Sequence, residues 1–419
     1  MGRINPKPIF IWALFLLAIC YSSAFAQWHL YYQGSVVTEG SPHDLYVVGD
    51  YAYLGDWAAG LSVIDISNMW QPQHIFGYDT PGLSNSVDVS GDLALVADWS
   101  RGMAIFDIAD PVAPVYLSTW DSPGITYNVF AMGNFAYLAD FNTGLAIIDI
   151  SDPSTPQHVV TQPTGGLATG VWGSGDYIYV ADYPDGLLTF DISDPASPEL
   201  VDTFLSSGDA FNVTGSDGYL FLSDGLAGVQ ILSIANPADP LLVSTVDTPD
   251  YVNDVAISDT LMYVADDSTG VIAYSIADPS VPYEIATYYS PGNAKGIFAR
   301  GRNVFLGDNE SFIVLLLSDA TGIDDDGNIE APSAFSLDGI FPNPFNPEAT
   351  IEFSLSERVS VSLDVYDQLG RHLECILNGK LDAGSYEVRW NGDERPSGIY
   401  FFRLSGNGVS QTVKATFLK

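Results

Sequence analysis

With 14 basic against 52 acidic residues in 419, the formal net charge of −38 excludes a phosphate-backbone partner, because nucleic-acid affinity rests on Lys and Arg neutralising phosphates. The composition, 47% apolar and 13% aromatic with 39 Gly and 25 Pro, argues against long helices and for many short strands separated by turns. Such an acidic surface gives solubility and leaves divalent cations or basic partners as the charged species it attracts.

The chain opens as a signal peptide does. Arg3 and Lys7 form a basic start, Ile9 to Tyr21 an apolar run, and Ala24-Phe25-Ala26 a small-x-small cleavage site, so residues 1–26 are expected to be removed. The run is short for a bilayer, which needs about 20 residues, and no later segment is apolar for long enough to span one. Lipidation at Cys20 is disfavoured because Ile19 stands where a small residue is wanted. Loss of Cys20 leaves Cys375 as the only thiol, so no intrachain disulfide forms and stability must come from packing.

From Gln27 the chain repeats. Asp56, Asp98, Asp140, Asp182, Asp224, Asp266 and Asp308 are each separated by 42 residues. Gly60, Ile66 and Pro72 begin columns that recur at the same step through the sixth copy. Each copy holds four strand-like runs, in the second Ser86 to Val89, Leu93 to Ala97, Met103 to Ile108 and Val115 to Trp120. Asp-x-x-x-Gly between the second and third runs predicts a hairpin, with Gly at positive φ. Asp-Pro-x-x-Pro between the third and fourth, as at Asp152 to Pro156, predicts a loop or strand edge.

Four strands every 40 to 45 residues mark propeller blades. The seventh copy stops after its third strand, near Ser318, while Trp28 to Val37 supplies an unmatched outer strand at the other terminus. Pairing the two removes two exposed sheet edges and closes a ring, which an open solenoid would not need. The expected fold is therefore all-β: a seven-bladed β-propeller of 42-residue blades over residues 27–320, its last blade closed by the N-terminal strand. Leu45, Val87, Val129, Val171, Val213, Val255 and Ile297 supply an aliphatic ring on the first strands, and Tyr53, Leu95, Tyr137, Tyr179, Phe221, Tyr263 and Phe305 bulk on the second. Gly, Ala or Ser precedes every repeated aspartate, permitting close backbone approach.

The strings Leu61-Ser-Val-Ile-Asp65, Leu145-Ala-Ile-Ile-Asp149 and Leu187-Leu-Thr-Phe-Asp191 resemble the LVIVD repeat, with the aspartate missing at Ser233, Ser275 and Leu317. The resemblance implies a bacterial surface propeller and no single activity.

Residues 321–333 read as an acidic linker. Asp324, Asp325, Asp326 and Asn328 offer oxygens to calcium but lack the spacing and closing glutamate of an EF-hand loop. In residues 334–419, strands are expected at Thr350 to Leu355, Val359 to Tyr366, Tyr386 to Trp390, Ile399 to Leu404 and Gln411 to Leu418, a small Ig-like β-sandwich with Cys375 as a small core residue. Phe341-Pro-Asn-Pro-Phe-Asn-Pro347, Val365 to Gly370, Gly384 to Trp390, Pro396 to Tyr400 and Lys414 to Lys419 resemble the type A sorting domain of type IX secretion. That resemblance implies the secretion machinery as a partner, passage through the outer membrane, and removal of the domain or its use in surface attachment.

A residue present in every blade is spread around a ring, so the seven aspartates cannot converge on one substrate. They are expected to cap their hairpins through turn amides, as are Asp65, Asp107, Asp149 and Asp191 at theirs. His29, His43, His74, His158 and His372 have no metal spacing, and neither a nucleophile elbow nor a phosphate loop occurs. No enzyme and no cofactor is therefore expected. Calcium or a glycan at the channel column of Asp44, Ser86, Asn128, Gly170, Asn212, Asp254 and Gly296 stays open as an alternative.

One column breaks symmetry. Trp57, Trp99, Phe141 and Tyr183 follow the first four repeated aspartates, where Gly225, Asp267 and Asn309 stand later. Their hairpins are expected to share a face with the loops carrying His43, Tyr127 and Phe211, and exposed aromatics there suit a ligand site. The competing reading is that these rings pack over the next blade. The expected function is a secreted, monomeric cell-surface protein that binds a surface protein or a glycan. The alternative is a polysaccharide-acting propeller hydrolase or lyase with its site at the channel mouth.

Overall fold

The computed structural model describes residues 28–319 and, towards the C-terminus, 335–341, 345–355, 358–367, 371–382, 384–392, 395–406, 409–417 and 419. The expected leader, 1–26, and the acidic linker, 321–333, lie outside the described residues.

Blade one is a four-stranded antiparallel sheet of Asp44–Val48, Tyr51–Gly55, Leu61–Asp65 and Gln73–Tyr78, paired in chain order. The next five sheets repeat this topology. Burial explains the sequence pattern. Leu61, Ser62, Val63 and Ile64 are buried in succession because neighbouring blades cover both faces of the middle strands, whereas Gln73–Tyr78 lies at the half-exposed rim.

The seventh blade is completed as its register requires. Gly296–Arg300, Asn303–Gly307 and Ser311–Asp319 are joined by the opening strand Trp28–Val37, antiparallel to Ser311–Asp319 from Trp28 opposite Asp319 to Val37 opposite Ser311. A bulge between Tyr32 and Gly34 bends this strand against blade one. A Cβ on Gly34 would stand 2.6 Å from the Met69 carbonyl, so the bulge needs a residue without one. The core forms wedges between blades: Leu45, Leu54 and Ile64 of blade one pack with Phe305, Phe312 and Val314 of blade seven.

All seven repeated aspartates are fully buried, but most of them do not cap their own hairpins. Their carboxylates accept hydrogen bonds from the loop that leads into the same blade. Asp98 takes the Gly82 amide at 2.9 Å and the Thr80 hydroxyl at 2.6 Å, and Asp182 takes the Gly166 amide at 3.0 Å and the Thr164 hydroxyl at 2.8 Å. Only Asp308 reaches the amides of its own turn, at Glu310 and Ser311. Sequence reasoning chose the nearest amides; folding offers closer ones, because the entering loop crosses directly over the hairpin. Approach is tight enough that a Cβ on Gly82 would lie 2.1 Å from the Asp98 carbonyl. The second set does cap its turns: Asp65, Asp107, Asp149 and Asp191 accept the amides of Ser67, Ala109, Ser151 and Ser193 at 2.8, 2.9, 2.8 and 2.8 Å.

The C-terminal strands form a three-stranded sheet, Phe335–Phe341, Glu348–Leu355 and Gly384–Asn391, and a four-stranded sheet ordered His372–Leu381, Val359–Asp367, Gly398–Gly406, Val409–Phe417. Both contribute to one core, with Ile351, Phe353 and Trp390 from the first meeting Leu363, Val365, Phe402 and Phe417 from the second. Two strands, Phe335–Phe341 and His372–Leu381, were not expected. Cys375 corrects another expectation: it is exposed. The register shifts between Leu363 opposite Leu377 and Asp364 opposite Cys375, so an extra residue, Ile376, turns to the core in its place.

Leu30 tests ring closure, being buried between the opening strand and the wedge of blades six and seven. Leu30→Ala should cost about 2–5 kcal/mol, read as a lower urea midpoint of residues 27–419.

Candidate binding face at the channel mouth

Seven residues one blade-step apart ring the mouth of the axial channel: His43, Asn85, Tyr127, Thr169, Phe211, Asn253 and Lys295. With Asp44, Asn128, Asn212 and Asp254 they line a cavity of about 110 Å³. Each ring member sits immediately before or at the start of an innermost strand, so the repeat itself delivers one side chain per blade.

Six of the seven aromatic or histidine side chains expected at the site join in one chain of ring contacts. His43 stacks on Trp57 at 4.4 Å, Trp57 meets Trp99 edge-on at 5.2 Å, and Trp99 meets Tyr127 at 5.4 Å. Tyr127 in turn contacts Phe141 at 5.9 Å and Phe211 at 5.6 Å. Tyr183 stays outside this chain: it ends the strand Tyr177–Tyr183 and is 40% exposed. The expectation that these rings merely pack and the expectation that they face solvent are both partly met, since they touch across blades yet Trp57, Trp99, Tyr127, Phe141 and Phe211 all remain half-buried.

The backbone under three of these rings is left-handed. Trp57, Trp99 and Phe141 have φ of 43°, 50° and 30°, the position that Gly225, Asp267 and Asn309 occupy in other blades at 56°, 33° and 68°. A bulky residue there costs about 1–2 kcal/mol that Gly largely avoids and Asn reduces. Hydrogen bonds to the following blade hold it: the Trp57 and Ser84 amides each donate to the other's carbonyl at 2.9 Å, the Thr126 amide to the Trp99 carbonyl at 3.0 Å, and the Ala168 amide to the Phe141 carbonyl at 2.8 Å.

Sequence reasoning missed Asn85, Thr169, Asn253, Lys295 and Tyr251. The first four could have been found by stepping from His43. Tyr251, which meets Phe211 at 5.9 Å, belongs to a column with no other aromatic and carried no signal. The amides are built in: Asn85 Nδ2 donates to the Tyr127 carbonyl at 2.7 Å and Asn253 Nδ2 to the Ala294 carbonyl at 2.8 Å. Lys295 pairs with Asp267 at 2.8 Å. Burial, with some help from the Lys295 charge, lowers the His43 pKa, so at neutral pH His43 stacks on Trp57 as an uncharged ring.

Below the rim, acidic and amide side chains satisfy the inner-edge amides of the first strands. Asp44 accepts from Leu45 at 2.7 Å and from Val87 of the next blade at 3.2 Å. Asp254 accepts from Val255 at 2.8 Å, Ile297 of the next blade at 3.0 Å and Asn212 Nδ2 at 2.8 Å. Burial first, and then the charge of Asp44, push the Asp254 carboxyl up to about 8; burial also raises Asp44. Among the described residues no three His, Cys, Asp or Glu side chains gather as metal ligands. A calcium ion in this column would compete with the amides that Asp44 and Asp254 already serve.

Family models match the LVIVD repeat at residues 39–80, 81–121, 123–162, 165–206 and 207–248, and a secretion system C-terminal sorting domain at 339–417. The chain is an LVIVD-repeat propeller with a secretion-system sorting domain. The unmatched copies are those in which Ser275 and Leu317 replace the terminal aspartate, yet they keep the blade topology.

Among solved structures the fold is similar to the β-propeller domain of Myceliophteria thermophila Cps50 (Swd1), at TM-score 0.59 and 12% identity over 69% of this chain and 100% of that one. It is also similar to U3-55K, at 0.57 and 11% over 70% and 99%, and to the computationally designed Ika8 protein, at 0.53 and 9% over 68% and 99%. At these identities the likeness is one of fold. No curated protein matches. The sorting domain marks this LVIVD-repeat protein as secreted, extracellular or attached to the outer cell surface, and as a client of the secretion machinery. Among the described residues no helix is long and apolar enough to cross a membrane.

Asp254 generates a pH prediction. Its folded-state pKa lies above the usual carboxylate value, so its contribution to stability is complete below about pH 4 and is lost as pH rises towards 8. Asp254→Asn has no such loss. The urea midpoint of wild type should therefore fall relative to that of the variant between pH 4.5 and 8, and the gap should stay constant above it.

Proposed function

We propose that the propeller is a surface-displayed binding module, without catalytic activity, whose ligand docks over the channel mouth on the rings of blades one to three. The observation that carries this reading is the pairing of bulky aromatics with left-handed backbone at Trp57, Trp99 and Phe141. The fold alone is served there by Gly, Asp or Asn, as blades five to seven use, so the rings persist against a local cost. Half-exposed Trp and Tyr side chains also combine large contact area with little conformational entropy to lose on binding.

A hydrolase or lyase acting on polysaccharide is the second reading, favoured by the interacting pair Asp44 and Asp254 at the mouth and the raised Asp254 pKa. Against it, both carboxylates are engaged by backbone amides, and a cavity of about 110 Å³ falls well short of the roughly 300–1,000 Å³ of ordinary ligand pockets. Asp44→Asn separates the two readings, since it would abolish turnover and leave capture near wild type.

Trp57→Asn and Trp99→Asn relax the left-handed backbone by about 1–2 kcal/mol while losing ring contacts of about 0.5–1.5 kcal/mol each. The urea midpoint should therefore stay close to wild type, while capture of glycans or surface proteins on arrays should fall at least tenfold for the double variant. Undiminished capture by a folded double variant would remove this face from consideration.

A further inference from the structure

Resting on that reading of the face, we infer that the ligand is a neutral glycan chain laid across Trp57, Trp99, Tyr127 and Phe211. Four observations converge on this chemistry.

The first is the donor pattern. Among the described residues no protein group hydrogen-bonds the indole N–H of Trp57 or Trp99 or the hydroxyls of Tyr127 and Tyr251, and none of these atoms is buried out of reach of solvent. Each ring thus offers an apolar face beside an unused polar atom, which matches a sugar with its C–H face beside its hydroxyls. The second is ring orientation. The interplanar angles are 74° for Trp57 with Trp99, 46° for Trp99 with Tyr127 and 85° for Tyr127 with Phe211. Each such contact, like the stacking of His43 on Trp57 and of Phe141 on Tyr127, occupies one side of a ring, and all four rings stay half-buried, so each keeps some surface open to solvent along steps of 5.2, 5.4 and 5.6 Å.

The third is charge. At a net −38 the surface repels uronates and sulfated chains, and Lys295, the one cation lining the mouth among the described residues, is already committed to Asp267. The fourth is depth. Protein partners anchor through side chains inserted into pockets, and the cavity of about 110 Å³ below the rings is lined by Asn, Thr, Asp, Lys, His, Tyr and Phe, with no aliphatic side chain. An amphipathic rim of differently tilted rings over a small polar well suits a ligand that lies across it and reaches down with a hydroxyl.

The test uses residues 27–419 and tryptophan fluorescence, with cellohexaose, laminarin, mannan and arabinoxylan as neutral probes, alginate as the anionic one, and a peptide array alongside. Saturable binding of at least one neutral glycan is expected, with alginate inert at the same concentration. Trp99→Asn should weaken that binding at least tenfold and Tyr127→Phe severalfold, both with wild-type urea midpoints. If neutral glycans fail while peptides bind in a Trp99-dependent manner, the glycan assignment falls and the face reading stands. A neutral glycan that binds Trp57→Asn/Trp99→Asn as tightly as wild type overturns both. Retention of alginate alone, or of no glycan at all, overturns the glycan assignment.

Discussion

Pairing between Trp28–Val37 and Ser311–Asp319 is the interaction on which the propeller depends. Until those strands meet, blade seven has three strands and an open edge, and the wedge joining it to blade one has no fixed geometry. Contacts between the propeller's two ends close its longest loop, an entropic cost that folding of the intervening blades reduces. The mouth inherits this dependence. His43 and Lys295 are neighbours around the channel only because the ring is closed.

Within the ring, polar groups are satisfied by a repeated device. Each blade's fully buried aspartate ties down the loop by which the chain enters that blade, and five of the seven have pKa values raised by burial despite those hydrogen bonds. At the axis, Asp44 and Asp254 reach amides of the following blade that no neighbouring strand can pair. The carboxylates that most resemble catalytic acids are therefore part of the scaffold's own hydrogen bonding. The asparagines of the mouth are likewise engaged, so what remains free on this face is largely aromatic, which supports the proposed role in recognition.

Much of the site was visible as a broken column. Trp57, Trp99 and Phe141 stand where a hairpin takes Gly or Asn, and His43, Tyr127 and Phe211 recur at the blade step, so six side chains could be named before any coordinates. Tyr183 makes no ring contact with the other six, because its hairpin keeps the residue inside a strand. Cys375 fails for a related reason: a single bulge reverses which neighbour faces the core, and alternation alone does not reveal bulges.

By itself the sequence determined the number of blades, the closure by the opening strand, the left-handed glycines of the hairpins and the sorting domain, because each follows from a fixed period or a local turn preference. Tertiary structure alone decided which amides the repeated aspartates serve, that the aromatic rings touch across blades while staying half-buried, and that Tyr251 joins them. Those outcomes depend on how loops from adjacent blades cross above the sheets, and neither periodicity nor local propensity encodes the distance between side chains that a closed ring brings together.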